Sequence, residues 1–292
     1  MLRKRRIFAA AVVAAALLSA GQATAAEAVT APPGGRILYL EFATSTQDLG
    51  RLKSIRPNGR GGQDLGKSAT SYSGPDYSPD GQTIAYTEWF NINLINADGS
   101  GDRTFAGAPY VPAYPRWSPD GQWIAAEAVG IRGWKTDGSG SKEMTPGADD
   151  NLAVAWAPGG HRIATATNSD EVRVYSADTG GLLKSWPLAG TRQLDWSPDG
   201  KKLIIQAQGD LWQLTLATGA ISRLTNTPGI YESSPTFSPD GRWVAYGRGP
   251  LTTDEYGNPY TAAPVIWLMN SRDGNQHATS THGIPTSWRT AD

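Results

Sequence analysis

The chain has no cysteine, which excludes disulfides, thiolate metal sites and cysteine nucleophiles. Lipid attachment is excluded with them, because Gln22 stands where a lipoprotein box begun at Leu18-Ser19-Ala20-Gly21 would need its cysteine. Histidine is nearly as scarce: His161, His277 and His282 are the only three, and they lack ligand-like spacing. No Gly-x-Ser-x-Gly elbow occurs, and no length of chain is left over for an α/β-hydrolase domain. Gly138-Ser139-Gly140-Ser141 and Gly59-Arg60-Gly61-Gly62 are glycine-rich but fall at hairpin turns, so neither is expected to cradle a phosphate. Beyond the first residues there is no basic cluster, which argues against nucleic acid and anionic membrane surfaces.

What basic clustering exists lies at the start. Arg3, Lys4, Arg5 and Arg6 precede an apolar stretch from Ile7 to Leu18, too short for a permanent membrane anchor, and Ala23-Thr24-Ala25 follows as a small-x-small cleavage site. Residues 1–25 are therefore expected to be a signal peptide, residues 26–35 a short linker and residues 36–292 the folded domain. The protein is expected to be exported to a periplasm or the extracellular space, with no stable membrane insertion after cleavage. Arg5-Arg6 leaves both general secretion and twin-arginine export open. Loss of the four basic leader residues changes the net charge from −1 to 22 − 27 = −5.

The rest of the chain is organised by a repeat. Ser78-Pro79-Asp80-Gly81 recurs as Ser118-Pro119-Asp120-Gly121, Ser197-Pro198-Asp199-Gly200 and Ser238-Pro239-Asp240-Gly241, with a degraded copy at Ala157-Pro158-Gly159-Gly160. Successive copies are 40, 39, 40 and 41 residues apart. Each is a tight turn in which Pro presets φ, Asp bonds local backbone and Gly takes the closing conformation. An aromatic precedes every copy (Tyr77, Trp117, Trp156, Trp196, Phe237), and a short apolar run such as Ile84-Ala85-Tyr86 or Val244-Ala245-Tyr246 follows it. Such runs suit strands covered on both faces. A second turn keeps the same period, at Pro57-Asn58-Gly59, Ala97-Asp98-Gly99, Thr136-Asp137-Gly138, Asp178-Thr179-Gly180, Ala217-Thr218-Gly219 and Arg272-Asp273-Gly274. One repeat thus reads as four strands with turns after the first and third, which is a propeller blade.

The aromatic-Ser-Pro-Asp-Gly turn, the Ile-Ala-Tyr run and the Asn-Ala-Asp-Gly turn together resemble the repeat of TolB-like β-propellers, relatives of the WD-repeat proteins. The resemblance covers the chain from Arg36 onward. TolB itself carries an α/β domain before its propeller, whereas here only residues 26–35 separate cleavage site and first strand, so a Tol-Pal partner is not carried over. Five blades begin near Asp76, Arg116, Ala155, Asp195 and Thr236. A sixth is expected from three N-terminal strands, around Ile37-Leu38-Tyr39-Leu40, Leu52-Lys53-Ser54-Ile55 and Gln63-Asp64-Leu65, closed by one C-terminal strand around Pro285-Thr286-Ser287-Trp288. The fold class is all-β, a closed six-bladed propeller.

Both repeated turns then lie on one face, and Asp80, Asp120, Asp199 and Asp240, one per blade, are read as structural. Function is expected at the channel mouth or on the opposite face. There the links between blades offer Tyr110, Tyr114, Asp149, Asp150, Tyr231 and Glu232. The loops within blades add Trp89 and an insertion from Arg248 to Pro264 with Asp254, Tyr256 and Tyr260. Converging, these would form an acidic, aromatic-rimmed site for a cationic peptide segment or a sugar ring; otherwise the tyrosines pack blade edges and the acids are solvated. The expected function is that of a non-enzymatic, monomeric binding protein for a protein, peptide or glycan. The alternatives are a glycosidase or lyase with a carboxylate pair such as Asp149 and Glu232, and a scaffold that interacts through its blade rim. No cofactor is expected, although a hard cation such as Ca2+ held by Asp149, Asp150 or channel carbonyls stays open.

Overall fold

The computed structural model describes residues 34–42, 49–70, 74–107, 113–147, 150–253, 257 and 259–290. Six antiparallel sheets form a ring of six blades, and no helix occurs among the described residues. From the channel outward, blade 1 consists of Ile284–Arg289, Arg36–Glu41, Leu49–Ile55 and Gln63–Thr70. Blade 2 follows with Asp76–Tyr77, Thr83–Glu88, Asn91–Asn96 and Arg103–Gly107, and blade 3 with Ala113–Trp117, Trp123–Ala128, Gly130–Lys135 and Ser141–Glu143. Blade 4 is Asn151–Trp156, Arg162–Thr167, Glu171–Ser176 and Leu182–Pro187; blade 5 is Thr191–Trp196, Lys202–Ala207, Asp210–Thr215 and Ala220–Arg223. Blade 6 comprises Ile230–Phe237, Trp243–Thr253, Val265–Asn270 and Gln276–His282, with the extra strand Pro259–Thr261 paired to Trp243–Thr253. Within the insertion anticipated from Arg248 to Pro264, Leu251, Thr252 and Thr253 prolong the second strand of blade 6 and pair with Thr261, Tyr260 and Pro259.

The apolar runs after each turn are short because each residue of a blade faces a neighbouring blade. In blade 2, Ile84 and Tyr86 pack towards blade 1, while Ala85 between them packs towards blade 3. Blade 6 repeats the scheme with Val244 and Tyr246 towards blade 5 and Ala245 towards blade 1. Period-two alternation therefore shares apolar side chains between two seams instead of separating apolar from polar. The core is accordingly divided into six apolar clusters, one in each seam between blades. The fully buried Trp243 anchors the seam between blades 6 and 1, and its truncation to Ala would cost about 3–5 kcal/mol.

Every Ser-Pro-Asp-Gly turn is held by the same bonds. In the first copy, Ser78 Oγ donates to Asp80 Oδ1 (2.5 Å), Gln82 N donates to the same oxygen (3.0 Å), and Thr83 N donates to Ser78 Oγ (2.9 Å). The Ser118–Asp120, Ser197–Asp199 and Ser238–Asp240 bonds reproduce it at 2.6, 2.7 and 2.7 Å. These hydroxyl and amide donors hold the carboxyls of Asp80 and Asp199 below the usual range. Gly81, Gly121, Gly200 and Gly241 close the turns at φ of 69–71°, which a side chain would strain. The two repeated turns of a blade are neighbours on one face, as Ala97 N donating to Gln82 O (2.8 Å) shows.

The sheet of blade 1 is completed by the chain's own ends: Leu38 pairs with Ser287, Ile37 with Trp288 and Arg36 with Arg289. Trp288, 7% exposed, sits in the seam cluster with Ile37, Tyr39 and Trp243. Deleting residues beyond Gly283 should lower the thermal midpoint by about 10 °C or more. A melt unchanged by that truncation would refute closure by this strand.

Candidate functional site

The residue just before each turn aromatic lies on the innermost strand, and the ring brings six of them together: Asp76, Arg116, Ala155, Asp195, Thr236 and Ser287. All six line a cavity of about 290 Å³ that opens on the face of the repeated turns, rimmed by Pro79, Pro119, Pro198 and Pro239 and walled by Tyr77, Trp117, Trp156, Trp196, Phe237 and Trp288. A second cavity of about 20 Å³, bounded by Gly74, Tyr114, Gln193 and Ser234, lies beyond it, and Arg116, Pro235 and Thr286 line both. The channel is therefore a funnel narrowed at Arg116.

Its narrow end is made by two bulged strands. The ladder register shifts between Ala113 and Arg116 and again between Ser233 and Thr236, and each bulge holds a left-handed residue before a proline: Tyr114 (φ 52°) and Ser234 (φ 50°). A bulge re-aims a side chain out of the pleat. Gln193 bridges the two, donating from Nε2 to Tyr114 Oη (3.3 Å) and accepting at Oε1 from Ser234 N (2.7 Å) and Oγ (2.9 Å). Gly74 makes room for the Tyr114 ring, since a Cβ there would stand 2.5 Å from Tyr114 Cδ1.

The two funnel carboxylates are engaged by neighbouring blades. Asp76 accepts from Trp117 N (2.9 Å) and Ser287 Oγ (2.6 Å); Asp195 accepts from Phe237 N (2.8 Å), Trp196 N (2.8 Å) and Thr236 Oγ1 (3.3 Å). Burial among protein atoms pushes both carboxyls up. The opposing influences are Arg116 and Ser287 at Asp76, and Phe237 N and Arg116 at Asp195. Arg116 donates from Nη1 to Gly74 O and to Pro115 O (3.3 Å), and its Nε and Nη2 have no protein partner among the described residues.

Those residues expected at the site that fall among the described ones lie on different blades. Tyr114 reaches the channel. Asp150 is half-buried on blade 4, where it accepts from Ser169 Oγ and lies 3.6 Å from Arg173 Nη1; the Ser169 bond holds its carboxyl down. Tyr231 and Glu232 turn into the seam between blades 5 and 6. Tyr231 Oη accepts from Gln206 Nε2 (3.1 Å). Glu232, with no exposed surface, accepts from Thr225 and Thr227 and lies 3.7 Å from Arg248 Nε, leaving it no route to a ligand in solution. Burial pushes Glu232 up, and nearby Asp210 adds to this. Tyr260 lies on the extra hairpin of blade 6, and Trp89 is 64% exposed at a hairpin tip of blade 2. Tyr110, Asp149, Asp254 and Tyr256 lie outside the described residues. Sequence reasoning placed Asp76, Arg116 and Asp195 at blade starts without assigning them to the site. Their signal was that this column carries charges of both signs while the turn columns repeat the same residues in all but the degraded copy. No group of three or more metal-ligating side chains occurs among the described residues.

No protein-family model matches the chain. The fold is that of a TolB-like propeller: the crystal structure of TolB from Acinetobacter baumannii superposes with a TM-score of 0.67 at 20% identity, covering 88% of this chain and 67% of that one. The Tol-Pal system protein TolB of Francisella tularensis is 33% identical over 79 residues, 26% of this chain and 16% of its own length. The uncharacterized peptidase YuxL of Bacillus subtilis is 24% identical over 206 residues, 65% of this chain and 31% of its own length. The chain thus spans less than a third of the length of either relative.

One carboxyl away from the funnel gives a pH signature. Glu127, half-buried on the second strand of blade 3 and opposite Ile131 and Ala113, is pushed up to about 7 by burial alone. Below its ordinary 4.5 both folded and unfolded chains are protonated and nothing is lost. Between 4.5 and 7 the unfolded chain releases the proton first, so stability falls as pH rises; above 7 the loss stays constant. Glu127→Gln should remove this loss, on the order of 2 kcal/mol after allowance for partial exposure, and raise the melting temperature at pH 8 but not at pH 4. Equal shifts at both pH values would refute the assignment.

Proposed function

We propose that the protein is an exported, non-catalytic propeller that binds a segment of a partner protein in the funnel on its turn face. The observation that carries this reading is Arg116, which lines the constriction with Nε and Nη2 directed to no protein acceptor among the described residues. Such a guanidinium can hold a carbonyl or carboxylate of an entering segment, while the aromatic and proline rim covers its apolar part. Asp76 and Asp195 supply negative potential, but their oxygens accept backbone and hydroxyl donors from adjacent blades. That favours binding over acid–base chemistry, which needs a carboxyl free to reach substrate. The name of the TolB relative, a component of the Tol-Pal system, supports a protein as the kind of partner. The name of YuxL carries no activity to this chain, which spans 31% of it.

Two measurements test the reading. A benzophenone side chain placed at Pro198 on the rim should give a discrete protein adduct in an envelope extract, reduced at least about tenfold by Arg116→Ala. No adduct, or one indifferent to Arg116→Ala, would sink the funnel as the binding site. Export predicts that the protein accumulating in its host starts at Ala26; a retained Met1 would refute processing of residues 1–25.

A further inference from the structure

The hydrogen-bonding groups at the floor of the funnel are spent on one another, with one exception. Each oxygen of the two carboxylates already accepts. Asp76 takes Ser287 Oγ at Oδ1 and Trp117 N at Oδ2; Asp195 takes Trp196 N at Oδ1, and Phe237 N and Thr236 Oγ1 at Oδ2. The hydroxyl protons are committed as well: Ser287 donates to Asp76, Thr236 to Asp195 and Thr286 to Leu38 O (3.3 Å). At the narrow end Ser234 Oγ donates to Gln193 Oε1 (2.9 Å). Arg116 is the exception. Its Nη1 is used on Gly74 O and Pro115 O, and its Nε and Nη2 reach no acceptor among the described residues. The floor therefore lacks an acceptor and has no need of a donor.

The geometry of the unspent group narrows the choice of acceptor. The Nε–H and one N–H of Nη2 lie side by side on one edge of a planar guanidinium, a fork that matches the two oxygens of one carboxylate. Charge narrows it further. Asp76, Asp195, Arg116 and Arg289 line the cavity, so its formal charges cancel. A monoanion is admitted there, whereas a phosphate dianion would meet Asp76 and Asp195 with double the repulsion. Depth decides the presentation. Beyond Arg116 the space falls from about 290 to about 20 Å³, room for one water molecule and not for a continuing main chain. An entering segment thus stops at Arg116, by its C-terminus or by the tip of an acidic side chain, with its apolar part against Trp117, Trp156, Trp196 and Trp288. Resting on the funnel as the binding site, we propose that it is a receptor for a carboxylate at the tip of the partner segment, held by both Nε and Nη2 of Arg116.

The test titrates the purified protein with three peptides and follows tryptophan emission, which the four funnel indoles report. N-acetyl-Phe-Gly carries a terminal carboxylate, N-acetyl-Phe-Asp-amide a side-chain carboxylate only, and N-acetyl-Phe-Gly-amide none. At least one carboxylate peptide should bind at least about tenfold more tightly than the uncharged amide, and the tighter of the two identifies chain end or side chain as the source. Arg116→Lys keeps the charge but loses the fork, and should erase that preference. Should this variant misfold, the three peptides compared on the wild-type protein decide alone. Inorganic phosphate at the peptide's concentration should not displace it. Four outcomes overturn the proposal: no binding of either carboxylate peptide, no preference over the amide, a preference that folded Arg116→Lys retains, or displacement by phosphate as effective as by the peptide. In each case an Arg116-dependent adduct at Pro198 would leave the funnel standing as the binding site, and its absence would remove both.

Discussion

Everything in this structure depends on one ladder, the antiparallel pairing of Ile284–Arg289 with Arg36–Glu41. No blade can stand alone, because each presents apolar residues on both faces and has nothing to cover them except its neighbours. Without the C-terminal strand, Arg36–Glu41 would become an open edge, and the seam holding Trp288, Ile37, Tyr39 and Trp243 would lose one wall. Closure also creates the site: Ser287, on the closing strand, accepts from Tyr77 N (3.3 Å) and donates to Asp76, so the joint is stitched to blade 2 inside the channel.

The channel shows how a propeller uses charge. Asp76 binds the backbone N–H of blade 3 and Asp195 that of blade 6, so each carboxylate staples its own blade to the next. Burying such a group costs solvation that only good hydrogen bonds offset. Both carboxylates have them. Arg116 is the charged member of the column whose Nε and Nη2 have no protein acceptor among the described residues, which is why the proposed binding centres on it. Glu232 and Asp210 follow the same logic in the seam between blades 5 and 6, where Arg248 and Arg223 approach them.

The two faces consequently differ in kind. The turn face is concave at its centre, with a polar floor and an aromatic wall. The opposite face ends in hairpin tips, Trp89 among them. Tyr114, Gln193 and Ser234 line the narrow end of the channel between the two faces.

The architecture was legible in the residues because turn chemistry is local. Pro79, Asp80 and Gly81 determine their own hairpin whatever surrounds them, and a period near 40 residues then counts the blades. The partition of Ile84, Ala85 and Tyr86 between two seams followed from strand geometry. The site was not legible in the same way. Asp76, Arg116 and Asp195 meet only because the ring brings residues 40 and 79 positions apart to one axis, and no local pattern encodes that meeting. Tyr231 and Glu232 looked like loop residues able to face a ligand, but the end of the innermost strand of blade 6 rotates them into the seam. Sequence by itself determined the blades, their turns and their number, since those rest on contacts between near neighbours. Only the tertiary structure decided which acids are buried staples and that Arg116 comes between Asp76 and Asp195, since that depends on which blades lie side by side.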